Sequence, residues 1–297
     1  MAIALATVYV VWGSTYLAMR ITDRSMPPLL MSSARFLIAG ALLYAVTARG
    51  KRPSWREWRA AAIVGGLLLA IGNAGVAWAE TRLPSGLAAL IVAIIPLYVA
   101  VFDWAVFGRR LAAPAVIGLV IGFAGVALIV RPGGTAHAGV ALALLGTTSA
   151  WAAGSLYARG APLPKSPLVS ASMQMLCAGV LLAVAGALGG EVSDVHRAAF
   201  GAKPLLAVAY LIVFGSLAAF SSYAWLLKNV RISVVATYAF VNPVVAVVLG
   251  ALFLSEAITL TTLIAGASIV IAVVLIVLAK PRAVRPRVQP RAATLTS

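Results

Sequence analysis

The chain has 297 residues, of which 63% are hydrophobic and only 10% charged, and its formal net charge is +16. Soluble domains average about 45–50% apolar and about 25% charged residues, so a water-soluble fold of this length is excluded for want of charge to cover its surface. The basic residues sit in short breaks between long apolar runs, which marks them as topology determinants and not as a nucleic-acid-binding patch.

A membrane span takes about 20 mostly apolar residues. Cutting the chain at charges and turn residues predicts ten such helices, at 3–19, 28–48, 60–79, 86–107, 112–130, 139–158, 167–189, 204–227, 233–254 and 260–279. Met1 runs into the first segment without a basic leader, so that segment reads as a span and not as a cleaved signal peptide. Pro28, Pro167 and Pro204 stand at first-turn positions, where a missing N–H costs nothing. The one cysteine, Cys177, lies inside an apolar run and reads as a packing residue. Beyond Lys280 the tail 281–297 is basic and proline-containing and is expected to be disordered.

With the N-terminus inside, 16 of the 23 Lys and Arg fall on the cytoplasmic side. Arg20, Arg24, Arg82, Arg131, Arg197 and Lys203 fall on the opposite side, and Arg35 lies within a span. That bias predicts a multi-pass protein of the bacterial inner membrane with both termini cytoplasmic. A shift of 139 residues carries Trp12 onto Trp151, Arg20 onto Arg159, Pro28-Leu29 onto Pro167-Leu168 and Ala39-Gly40 onto Ala178-Gly179. A shift of 147 carries Trp78 onto Trp225 and Pro96 onto Pro243, the extra eight residues falling in 189–203. The expected architecture is all-α: five-helix repeats at 1–135 and 136–280, and the tail at 281–297. Five is odd, so the second repeat enters the membrane from the other side, the inverted arrangement that secondary transporters use for alternating access.

Several motifs resemble the EamA branch of the drug/metabolite transporter superfamily. They are Trp12-Gly13-Ser14-Thr15-Tyr16, Ala34-Arg35-Phe36, Leu83-Pro84-Ser85-Gly86-Leu87, the mid-span Pro96 and Pro243, and Phe253-Leu254-Ser255-Glu256. The resemblance covers the ten spans, and within the branch it is greatest to YddG-type exporters of aromatic and other neutral amino acids. It implies a cavity lined by spans 1, 3, 4, 6, 8 and 9. Arg109 stands where the family usually repeats the glutamate of Glu256, so that glutamate's role does not carry over to the first half.

The candidate substrate-binding residues are Trp12, Thr15, Tyr16, Asn73, Tyr98, Trp151, Tyr238 and Asn242. Aromatic walls with a few hydroxyl and amide groups suit an amphipathic neutral ligand, although Asn73 and Asn242 could equally hydrogen-bond between helices. Pro96 and Pro243, inside their spans, free a carbonyl four residues earlier and form candidate hinges. A charge at the bilayer centre costs about 2.5–3.5 kcal/mol, so Arg35 must face protein or water. It reads as an anion contact or as half of a structural ion pair, with Glu80 as the expected partner.

No carboxylate or histidine is expected at mid-depth: Asp23, Glu80, Glu191, Asp194 and Glu256 fall at or beyond one set of span ends, and His137 and His196 in loops. Flux is therefore expected to be uncoupled, with proton or sodium coupling kept as the alternative. No metal motif, P-loop or intramembrane protease set occurs, so no enzyme, cofactor or metal is expected. The expected partners are a small neutral or zwitterionic metabolite and the bilayer. The working unit is expected to be a monomer, with a homodimer left open. Phosphorylated sugars, drug cations and a non-transport scaffold or receptor are the rival readings.

Overall fold

The computed structural model describes residues 1–48, 52–108, 112–130 and 138–278. Among these it contains helices and no strands. Ten helical spans follow the chain: α1 (Ala2–Thr22), α2 (Pro28–Thr47), α3 (Trp55–Glu80), α4 (in two pieces, Ser85–Val92 and Ile95–Phe107), α5 (Ala113–Val130), α6 (Ala138–Gly160), α7 (Pro167–Leu188), α8 (Ala202–Asn229), α9 (in two pieces, Ile232–Val235 and Tyr238–Leu254) and α10 (Leu260–Leu278). Seven are long and apolar enough to cross a membrane, and α5, α9 and α10 contribute shorter apolar stretches. Ile38, Leu42 and Val46 on α2 and Leu181 and Val184 on α7 are exposed, as an outer surface solvated by lipid requires. Arg109, His137 and the tail lie outside the described residues.

The main helix pairings join one half of the chain to the other. α2 packs on α7 and α5 on α10; α1 packs on α9 and α8, as α6 packs on α4 and α3. This crossed set is what two repeats related by a pseudo-two-fold axis produce. Small residues make the approach close: a Cβ on Gly40 would sit 3.0 Å from Leu176, and one on its repeat mate Gly179 would sit 2.6 Å from Leu37. Ser33 Oγ donates to the Gly179 carbonyl at 2.8 Å across the same seam.

Two features were not legible in the sequence. α3 is π-helical over Gly66–Asn73, and α8 over Leu211–Phe220. A 147-residue shift carries 66–73 onto 213–220, so the two widened stretches are repeat mates. Such widening leaves carbonyls without their usual helical partners and is frequent at functional sites.

The second feature is capping across the repeats. α2 and the first piece of α4 begin after Pro27 and Pro84, which supply no side-chain cap. Glu191 accepts from the amides of Leu29 and Leu30 at 2.9–3.2 Å. Glu256 accepts from the Ser85 amide and hydroxyl and from the Gly86 amide, also at 2.9–3.2 Å. A carboxylate at a helix N-terminus satisfies orphan N–H groups and the macrodipole together. Ser255, held at φ 54°, turns the chain so that Glu256 reaches back.

Pro96 and Pro243 align in sequence but sit differently. Pro96 opens the second piece of α4, directly after the break at Ala93 and Ile94. Pro243 lies inside the long piece of α9, well past the break at Ala236 and Thr237. The two prolines, expected from the sequence as a symmetric pair of hinges, thus stand differently relative to the helix breaks, because the α9 break lies four residues earlier in repeat register than the α4 break.

Candidate functional site

Trp12 in α1 and its repeat mate Trp151 in α6 meet edge to face, with ring centroids 5.4 Å apart. Tyr223 of α8 lies 4.8 Å from Trp12 and 5.6 Å from Trp151, and Tyr238 of α9 lies 5.4 Å from Trp12 and 5.9 Å from Tyr223. All four rings are buried. Offset and edge contacts of this kind are worth about 0.5–1.5 kcal/mol each beyond the area they bury. Some polar edges are tied down as well: Trp151 Nε1 donates to the Tyr223 hydroxyl at 3.1 Å, and Ser155 Oγ lies 2.8 Å from the same oxygen, while the buried Tyr238 hydroxyl makes no hydrogen bond.

Each tryptophan also engages the π-helical stretch of the other half. Trp12 Nε1 donates to the Gly215 carbonyl in α8 at 3.3 Å. The ring of Trp151 lies against Gly72 in α3, where a Cβ would come within 2.8 Å of it. The aromatic cluster therefore joins α1, α6, α8 and α9 and touches both widened segments.

Arg35 of α2 links the same two segments. Its Nε donates to Ser216 Oγ in α8 at 2.8 Å, and its Nη1 to Asn73 Oδ1 at the end of the α3 stretch at 3.3 Å. Gly215 makes room: a Cβ there would sit 2.8 Å from Arg35 Nη2 and 3.0 Å from Thr15 Cγ2. The guanidinium is buried and its carbon lies 4.9 Å from the centre of the Phe36 ring. The expected ion pair with Glu80 does not form. Glu80 is fully buried at the end of α3, and neither carboxylate oxygen makes a hydrogen bond. Arg35 reaches the middle of α3, at Asn73, instead of its end.

The other expected site residues divide. Trp12, Trp151 and Tyr238 come together. Thr15 and Tyr16 are buried on α1 near the cluster, and the Thr15 hydroxyl donates to the Trp12 carbonyl at 2.7 Å. Asn73 is committed to Arg35. Asn242, with its NH₂ turned to the acceptors, donates to the carbonyls of Tyr9 and Tyr238 at 2.9 and 3.2 Å, an interhelical role. Tyr98 lies apart from the cluster and packs on Phe102 and Phe123 with centroids 6.0 and 6.4 Å away. Tyr223, which is not among the binding residues expected from the sequence, is central.

A cavity of about 180 Å³ adjoins the cluster. Its wall includes Tyr223 and Phe220 of α8, Ser170 and Gln174 of α7, Leu68 of α3, and the end residues Arg159 and Lys228. Arg159 donates to the carbonyls of Leu227 and Val230, and Lys228 to that of Pro164. Gln174 Nε2 donates to Ser170 Oγ at 2.8 Å. Tyr223 forms both a wall of this cavity and a corner of the aromatic cluster, so the two share that ring.

The model of the EamA-like transporter family matches the chain twice, over residues 1–131 and 137–278. The chain belongs to the EamA-like transporter family. Escherichia coli YedA, described as an uncharacterized inner membrane transporter, is 41% identical over 283 residues, 93% of this chain and 90% of that protein. A Streptantibioticus cattleyicolor protein described as a probable terminal-alkyne amino-acid exporter is 26% identical over 282 residues, 92% of each. A chain of a solved crystal structure superposes with a TM-score of 0.67 at 25% identity, covering 92% of this chain and 94% of that one. The protein is thus an EamA-like membrane transporter and not an enzyme. The double family match follows the two halves whose tryptophans meet at the centre.

Proposed function

We propose that this EamA-like transporter exports small neutral or zwitterionic metabolites, aromatic and other neutral amino acids first, across the bacterial inner membrane by alternating access. The observation that carries the reading is the aromatic cluster of Trp12, Trp151, Tyr223 and Tyr238. It is built from both repeats and shares a ring with a cavity bounded by Arg159 and Lys228. Aromatic faces with tethered hydroxyl and indole groups bind an apolar side chain, while the two cations at the mouth attract a carboxylate end. The names of the YedA and alkyne amino-acid exporter relatives support an inner-membrane location and an amino-acid cargo. The positive-inside bias supports cytoplasmic termini and a cavity open to the cytoplasm. The two repeats, 1–135 and 136–280, would rock about the seam between α2 and α7 in a monomer.

Sequence reasoning makes this flux uncoupled because it finds no carboxylate at depth. The full burial of Glu80 favours the alternative, coupling to protons. Vesicles reconstituted with the protein and loaded with labelled phenylalanine, tyrosine or leucine test the cargo. Efflux above protein-free vesicles, reduced at least tenfold by Trp12→Ala or Trp151→Ala, is expected. Absence of flux for every amino acid overturns the reading.

A further inference from the structure

On the face opposite the cavity, the ends of α1 and α3 meet the α9–α10 connection, and charged groups gather there. Glu80 ends α3 with no exposed surface, and neither carboxylate oxygen makes a hydrogen bond. Asp23, the residue after α1, has both oxygens buried and without a hydrogen bond. Arg20, one turn back on α1, donates Nη1 to the main-chain carbonyl of Glu80, while its Nε has no acceptor. Glu256 and Tyr16 also face Glu80, and Glu191 faces Asp23. The carboxylates of Glu256 and Glu191 are occupied in capping α4 and α2.

The other elements packed against this end of α3 bring no counter-charge. Arg35 of α2 is turned to Ser216 and Asn73. The first piece of α4 carries no charged residue, and Arg159 of α6 lies at the other end of its helix. Ionised carboxylates here would be removed from water with only Arg20 and the Thr22 hydroxyl to offset the loss, a state that buried acids avoid by holding a proton. Four carboxylates, Glu80, Asp23, Glu256 and Glu191, gather here with Arg20 as the cation facing Glu80 and Asp23, and like charges raise the cost of ionising them all.

We propose that Glu80 and Asp23 form a proton-binding site that latches the outer face of the transporter. With protons bound, the two carboxyls pack beneath Glu256 and the face is closed, as in this structure. When they ionise, they repel each other and the Glu256 carboxylate, and the ends of α1 and α3 part. Protons enter and leave from the outer solvent in that open state, so acid outside favours the state open to the cytoplasm. Burial pushes the Asp23 carboxyl well above the ordinary carboxylate range, against the opposing pull of Arg20 and the Thr22 hydroxyl and with a smaller push from Glu191, in agreement with this assignment. The inference rests on the transport reading only for its consequence; the latch can be observed without any substrate.

The test uses the full chain in right-side-out vesicles, with Cys177→Ala and a reporter cysteine at Leu83. Leu83 lies in the turn after α3 and is 1% exposed. Labelling by a membrane-impermeant maleimide is measured from about pH 5 to about pH 9, spanning the carboxylate and thiol ranges. It is divided by the labelling of Val192→Cys, on the α7–α8 connection of the same face and 60% exposed, to remove the reagent's own pH dependence. The ratio is expected to rise at least tenfold with pH in the parent. It is expected to stay low throughout in Glu80→Gln, which mimics the protonated acid, and to rise less in Asp23→Asn. A ratio independent of pH in the parent, or an unchanged rise in the Glu80→Gln, Asp23→Asn double variant, overturns the proposal. Failure of Glu80→Gln to fold overturns it too, because a protonated Glu80 must tolerate its amide isostere. Amino-acid flux by a protein that fails this labelling test would leave the transport reading standing and remove only the latch.

Discussion

Arg35 shows how a single side chain can hold a membrane bundle together without an ion pair. Its guanidinium is satisfied by the neutral oxygens of Ser216 and Asn73, which belong to the two π-helical stretches. A planar fork with fixed donors spans those two acceptors, whereas a lysine is a single point charge. Arg35→Lys is therefore expected to lose about 2–4 kcal/mol of stability, since it leaves buried polar groups unpaired. Thermal unfolding in detergent checks this, and a variant as stable as the parent would show that the bridge carries little. Gly215 belongs to the same unit. Gly215→Val is expected to cost about 1–3 kcal/mol through overpacking against Arg35 and Thr15, while Gly139→Ala, with nothing within 4 Å, serves as the neutral comparison. At the capping sites, Glu256→Gln keeps one acceptor but loses the charge. A loss of about 1–2 kcal/mol is expected, read by the same unfolding measurement.

At the level of elements, the broken helices make different demands on their prolines. Pro96 sits at the first turn of the second piece of α4, where no N–H is needed, so Pro96→Ala leaves the break in place. Pro243 is internal to α9, and Pro243→Ala restores an N–H that can bond the Ala239 carbonyl and stiffen the helix beside Tyr238. Amino-acid flux is expected to fall several-fold in Pro243→Ala and to change little in Pro96→Ala. Equal effects from the two would support the symmetric hinge that the sequence suggested. The spans themselves were readable, because an apolar run bounded by charge can only be buried or face lipid. Their internal geometry was not: the π-helical stretch Leu211–Phe220 is a run of apolar and small residues that an ordinary α-helical span would accept equally well.

For the whole molecule, the inverted architecture places the connection before α3 and the connection after α7 on opposite faces, since five helices, α3 to α7, separate them and five is odd. Cysteines at Arg52 and at Val192 are expected to react from opposite sides of right-side-out vesicles, Val192→Cys from outside and Arg52→Cys only after permeabilisation. Labelling of both from one side would break the topology.

By itself the sequence determined the solvent, the number of spans, their repeat and the family. Those depend on hydrophobicity along the chain and on the order of a few Trp, Pro and Gly residues, which are local quantities. It also picked out Trp12, Trp151 and Tyr238, whose depth within a span is read by counting. Only the tertiary structure decided which of these meet. It joined Trp12 to Gly215 and Trp151 to Gly72, set Tyr98 aside and made Tyr223 the corner of the site. It turned Arg35 away from Glu80 and left that carboxylate buried beside Asp23. The physical reason is that hydrogen-bond partners in this bundle come from different helices, 38 residues apart for Arg35 and Asn73 and 203 apart for Trp12 and Gly215. Partner choice there is set by helix rotation and by the gap a glycine leaves, and neither has a signature along the chain.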